Sequence, residues 1–223
     1  MRSTLASAQR EEIHIPVGRL GLVADLTIPE RASGLVLFAH GSGSSRRSPR
    51  NQHVAEVLNR GSIATILADL LTEEEEALDQ QTAELRFDIG MLARRLIGIT
   101  DWIERQDHLN KIPLGYFGAS TGAAAALIAA ADRPDVARAI VSRGGRPDLA
   151  GDALSRVVAA CLFIVGGYDQ VVLHLNREAI AQLPRPTERR LEIVPGATHL
   201  FEEYGALDRV AELARDWFQE RLR

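Results

Sequence analysis

The sequence predicts an α/β fold, a mainly parallel β-sheet with helices on both faces. Three features carry this expectation: short, continuous apolar runs recur along the chain, segments with helical spacing lie between them, and the runs end in glycine-rich turns. A strand covered on both faces reads as an unbroken apolar run, and strands that alternate with helices imply parallel crossovers. The chain has 223 residues, 46% of them hydrophobic, enough to bury a large core. No composition break, internal repeat or long linker interrupts it, so a single domain over residues 1–223 is expected.

Taken in order, residues 12–17 alternate polar and apolar side chains, and residues 22–28 follow after Gly18 to Gly21. This pattern predicts an antiparallel hairpin at a sheet edge. Residues 34–39 form the first fully apolar strand, and further buried strands are expected at 63–68, 113–117, 137–141, 160–165 and 190–194. Leu85, Ile89, Leu92, Leu96 and Ile103 keep one apolar stripe and predict a helix over 84–105. Val210, Leu213, Ala214 and Trp217 predict another over 206–222. The run Glu73 to Glu76 is read as the solvated start of a helix, where acidic side chains complement the dipole.

Composition narrows the partners. With 26 Lys and Arg against 30 Asp and Glu the formal net charge is −4, so no nucleic-acid or anionic-membrane partner is implied. The longest apolar runs, 123–131 and 157–165, have nine residues each, far short of the roughly 18 that a membrane span needs. Arg2, Ser3 and Thr4 lead into polar residues rather than an apolar leader, and a cytoplasmic address is expected. Cys161 is the only cysteine, which leaves no intrachain disulfide or thiolate metal cluster and reads as a small buried hydrophobe.

Gly118-Ala119-Ser120-Thr121-Gly122 satisfies G-x-S-x-G and stands between a predicted strand and the helix-forming run 123–131. In that context a sharp strand-to-helix turn holds the serine in a strained conformation and presents its hydroxyl, while the flanking glycines let neighbouring backbone pass. The N–H of Thr121 at the helix start then faces a developing oxyanion. Such a serine needs a base, and His199 fits, in the loop after the last predicted strand. His14, His53, His108 and His174 lie where no strand end would aim them at Ser120. Asp169, after the strand 160–165, is the carboxylate that orients His199, with Asp148 and Asp152 as competitors. The order Ser, Asp, His is one of three known orders for such a set.

His40-Gly41-Ser42-Gly43-Ser44-Ser45 follows the strand 34–39. Its glycines let a backbone N–H approach a carbonyl oxygen, and Ser42 N–H, then Gly43 N–H, is expected as the second oxyanion donor. No Walker lysine or dinucleotide fingerprint accompanies the loop, and His40 reads as a loop anchor. Arg46, Arg143 and Arg146, with Arg47 and Arg50 nearby, follow strand ends and raise the expectation that an anionic substrate group is met at this rim.

With these residues in place the chain resembles the α/β-hydrolase superfamily over nearly its whole length, and its compact form resembles the dienelactone hydrolase family. The resemblance implies an eight-stranded, mostly parallel sheet with little or no lid, cofactor-free ester or lactone hydrolysis through an acyl-enzyme, and catalytic roles for Ser120, Asp169 and His199. Dienelactone hydrolases proper use a cysteine nucleophile, so Ser120 shifts the expectation toward a general carboxylesterase. The segment Ser142 to Leu149 also resembles hydrolase domains that occur beside or fused to phosphoribosyltransferase-like domains.

The expected function is therefore hydrolysis of a small or medium ester, lactone or thioester by Ser120, with no metal or organic cofactor. Acyl transfer to an alcohol or peroxide uses the same machinery. A binding protein that kept the fold without turnover is the reading from another class.

Overall fold

The computed structural model describes residues 9–223; the opening Arg2 to Thr4, read above for a secretory signal, lies outside them. Among the described residues eight strands form one sheet: β1 (Gln9–Val17), β2 (Leu20–Ile28), β3 (Gly34–Ala39), β4 (Ile63–Ala68), β5 (Leu114–Ala119), β6 (Ala137–Arg143), β7 (Ala160–Gly166) and β8 (Arg189–Val194). Their order is β1-β2-β4-β3-β5-β6-β7-β8. β1 and β2 pair as a hairpin, β2 is antiparallel to β4, and every other pairing is parallel.

The hairpin turn uses Gly18 at φ 62°, a left-handed conformation that glycine adopts without a Cβ penalty. β5 starts one residue after Pro113 and runs on to Ala119. β6 extends through Ser142 and Arg143, which pair with Gly118 and Ala119 on one side and Phe163 and Ile164 on the other. Two polar residues at the end of an apolar run gave no sequence signal for that extension.

Helices α1 (Pro49–Arg60) and α6 (Ala206–Arg221) cover one face, around Val54, Leu58, Val141, Val210 and Trp217. Helices α3 (Ile89–Ile103), α4 (Thr121–Asp132) and α5 (Gln170–Gln182) cover the other. α4 is buried almost all round, because its alanines let the sheet, α3 and the segment Pro147–Arg156 all approach closely.

The helix expected over 84–105 is divided. Residues Leu85–Phe87 make a 3₁₀ turn and α3 starts afresh at Ile89, where Asp88 Oδ1 accepts the Met91 N–H at 2.8 Å as an N-cap. The glutamate run opens its own helix, α2 (Glu73–Thr82), with a capping box: Thr72 accepts the Glu75 N–H and Glu75 accepts the Thr72 N–H. Between β6 and β7, Pro147–Arg156 folds as 3₁₀ turns kinked at Gly151 and lies down on α4 and α5, so it raises no arch over the sheet edge. Among the described residues no helix is long and apolar enough to cross a membrane.

The chain leaves β3 toward β4 on one side and later returns to β5 on the other. Loops leaving β3 and β5 therefore diverge and open a crevice at the carboxyl ends of these strands, where open α/β sheets bind ligands.

Candidate active site

Ser120 stands at that crevice, as the N-cap of α4, with φ 49° and ψ −120°. This backbone is costly for a residue with a Cβ, on the order of 1–3 kcal/mol, and it is held by both neighbours. Ser120 N–H donates to Arg143 O at 3.2 Å, and Arg146 N–H donates to Ser120 O at 3.0 Å. The flanking glycines are sterically required. A Cβ on Gly118 would lie 2.4 Å from Ala123 Cα, and one on Gly122 would lie 2.2 Å from Ala39 O.

The loops after β7 and β8 are bonded to each other. Gly167 N–H donates to Val194 O and Tyr168 N–H to Ala197 O, both at 2.9 Å, which carries Asp169 and His199 into contact. His199 Nδ1 lies 2.6 Å from Asp169 Oδ2, so the imidazole donates there and its Nε2 is left free. The other carboxylate oxygen caps α5, accepting Val172 N–H at 3.3 Å. Asp169 is thus fixed by a helix at one oxygen and holds the histidine with the other. Its sequence competitors are engaged elsewhere or exposed: Asp148 makes a two-pronged pair with Arg146, and Asp152 faces solvent.

His199 and Ser120 both lie against the turn Gly144-Gly145-Arg146. A Cβ on Gly144, which has φ 49°, would meet His199 O at 3.1 Å and its ring at 3.5 Å. In this conformation no hydrogen bond joins the Ser120 hydroxyl to His199. Catalytic hydrogen bonds of this kind commonly tighten only with substrate bound.

A residue that sequence reasoning missed locks this turn. Asn176, fully buried in α5, donates through Nδ2 to Gly145 O at 3.0 Å and to Val172 O at 2.7 Å. One side chain thereby ties the helix capped by Asp169 to the turn that holds the Ser120 backbone and backs the histidine.

On the other side of the crevice, Gly41 packs against the serine itself: a Cβ there would lie 3.0 Å from Ser120 Cβ. Ser42 and Gly43 follow in a turn closed by Ser44 N–H to Gly41 O at 3.2 Å, and their own N–H groups have no partner among the described residues. His40 anchors the loop from beneath. Its Nδ1 lies 3.0 Å from Gly41 O and its Nε2 accepts the Leu70 N–H at 3.0 Å. Burial lowers its pKa, against the pull of Gly41 O, Asp69 and Glu76, in keeping with a neutral ring. Arg86, also missed, reaches this loop. Buried Asp79 accepts Arg86 Nε at 2.6 Å, and Arg86 Nη1 lies 3.3 Å from where a Gly43 Cβ would be.

The three arginines expected at the substrate rim part company. Arg46 is buried and bonds to Asp25, Asp69 and Glu12 at 2.9, 3.0 and 2.8 Å, so its charge is matched by three carboxylates and it knits the β1-β2 hairpin to the loop. Arg146 is held by Asp148. Arg143 alone is buried without an acidic partner. The sequence could not separate them, because the partners of Arg46 lie 21 to 34 residues away.

Among known proteins, no family model matches the chain. Two curated relatives, from two Mycobacterium tuberculosis strains and provisionally named phosphoribosyl transferases, are 56% identical over 212 residues, 95% of this chain and 46% of theirs. The chain spans about half the length of the curated relatives it matches. A dienelactone hydrolase from Anabaena variabilis superposes with a TM-score of 0.95 at 56% identity, over 97% of this chain and 99% of that one. Est1E from Butyrivibrio proteoclasticus shares the fold, with a TM-score of 0.78 at 17% identity over 96% of this chain and 98% of that one. Identity of 56% across nearly the whole of a solved dienelactone hydrolase chain shows that the chain belongs to the dienelactone hydrolase family of α/β-hydrolases.

Proposed function

We propose that the chain hydrolyses a small or medium ester, lactone or thioester through an acyl-enzyme on Ser120. The observation that carries this reading is a strained serine at a strand-to-helix turn, beside the same glycine turn as an Asp169–His199 pair at 2.6 Å. In the proposed reaction Ser120 Oγ attacks the carbonyl carbon and passes its proton to His199 Nε2. The imidazolium, stabilised by Asp169, returns the proton to the leaving alcohol or thiol, and water then repeats the sequence to release the acid. In this reading Thr121 N–H at the start of α4 and Ser42 N–H receive the oxyanion, with Gly43 N–H as the further donor.

Tyr168, Val171 and Leu200, which flank Asp169 and His199, are exposed apolar side chains and suit an apolar substituent at the mouth of the crevice. Among the described residues the segment between β6 and β7 lies down on α4 and α5 rather than over this edge, which favours soluble substrates over long lipids. Labelling by a fluorophosphonate probe tests the reading. Wild-type protein is expected to take the label at Ser120 and Ser120→Ala to take none; a folded wild type that stays unlabelled overturns it.

A further inference from the structure

We infer that Arg143 and Arg50 form an anion subsite, on the α1 side of the Ser120 crevice, that receives a phosphate group carried by the substrate. The inference rests on the hydrolase reading of Ser120 and adds what the ester carries.

Arg143 ends β6 and pairs with Ala119, the residue before Ser120, while its carbonyl accepts the Ser120 N–H. Val141, two residues earlier, belongs to the core layer between the sheet and α1 and α6. Alternation along a strand puts the Arg143 side chain on that same face. Arg50 lies in the first turn of α1, four residues before Val54 of the same layer, so Arg50 and Val54 share one helix face. Two guanidinium groups thus converge at the carboxyl end of this layer. Burial, then the charge of Arg50, pushes Arg143 down to about 10.

Arg143 is not neutralised as buried arginines usually are, and Arg50 is only partly so. Arg143 is 8% exposed, its Nη1 is buried without a partner, and its side chain makes no hydrogen bond among the described residues. Arg50 Nε is likewise buried and unpartnered. Among the described residues the acid that pairs with Arg50 is Glu202, 65% exposed, at 3.3 Å, and no acid pairs with Arg143. Arg46, equally buried, is given three carboxylates by the same fold. A buried charge without a counter-ion is a standing cost, and one kept a strand away from a nucleophile fits a counter-ion that arrives with the substrate.

The chemistry favours phosphate over carboxylate. Two planar forks beside the positive end of α1 offer more donors than two carboxylate oxygens accept, whereas a phosphate ester brings about two charges and three terminal oxygens.

Two measurements test the subsite. The first is thermal unfolding in inorganic phosphate against chloride at equal ionic strength. The wild-type midpoint is expected to rise with phosphate. Arg143→Gln is expected to unfold at a higher temperature than wild type in chloride, because an unpaired buried charge is gone, and to lose the phosphate response. The second is a trio of esters that differ only in a phosphate, a carboxylate or a neutral substituent. The phosphate ester is expected to be preferred roughly 10- to 100-fold in kcat/KM over the neutral one, with that ratio near one in Arg143→Gln and Arg50→Gln. A phosphate response that survives Arg143→Gln, or equal preference for the carboxylate ester, overturns the inference. Neither result bears on Ser120, whose labelling is read separately.

Discussion

At the scale of single residues, the site depends on positions where backbone, rather than side chain, sets the limit. Gly122 shows this most sharply: a methyl there would press on Ala39 O at 2.2 Å and His40 O at 2.4 Å, two carbonyls that cannot rotate aside. Gly122→Ala is expected to cost about 1–3 kcal/mol in urea unfolding, the usual range for overpacking, and to lower the proposed esterase activity by displacing the loop of Ser42. His40 works through its protonation state. Its Nε2 must stay bare to accept the Leu70 N–H, and burial holds its pKa below the ordinary 6.5. The unfolded chain therefore binds a proton that the folded chain refuses, so the stability tied to a neutral His40 is complete above about pH 6.5 and declines as pH falls below it. Urea midpoints at about pH 7.5 and about pH 5.5 are expected to differ less in His40→Gln than in wild type; an equal difference would remove His40 from the account.

At the scale of elements, α5 does more than cover the sheet. Its N-cap is Asp169, and less than two turns later Asn176 reaches back to Gly145 O, so the helix fixes carboxylate and glycine turn in one rigid unit. Asn176→Ala is expected to lower kcat per titrated active site by roughly 10-fold, the scale of one lost buried hydrogen bond, with KM little changed. A variant that loses only thermal stability, with unchanged turnover per titrated site, would reduce Asn176 to a packing role. This contribution was not legible beforehand, since an asparagine inside a helical stretch reads only as a weak helix former. The strands, in contrast, were legible because burial on both faces leaves unbroken apolar runs at 34–39 and 63–68. The division of the expected helix over 84–105 was hidden by Leu85, which keeps the apolar spacing of α3 although it belongs to the preceding turn.

At the scale of the whole molecule, the sheet order decides which charges are structural. Ser120, Asp169 and His199 could be singled out from the sequence because each follows its own strand, and the fold brings Asp169 and His199 into contact and sets Ser120 against the same glycine turn. The two arginines Arg46 and Arg143 also follow strands and look alike there, yet only the crossing of β1, β2 and β4 brings Glu12, Asp25 and Asp69 around Arg46. Removing one member of such a buried group leaves the others without compensation, typically about 3–5 kcal/mol. Arg46→Met is expected near 3 kcal/mol, at the lower end of that range, because Arg10 still holds Asp25 at 2.6 Å and Glu12 is half exposed. Arg143→Met is expected to move stability the other way, since no carboxylate is abandoned when that charge goes. Urea unfolding of the two variants side by side checks the contrast. If both lose stability equally, Arg143 has a structural partner, and the distinction between an arginine that holds the fold and one that waits for a ligand falls.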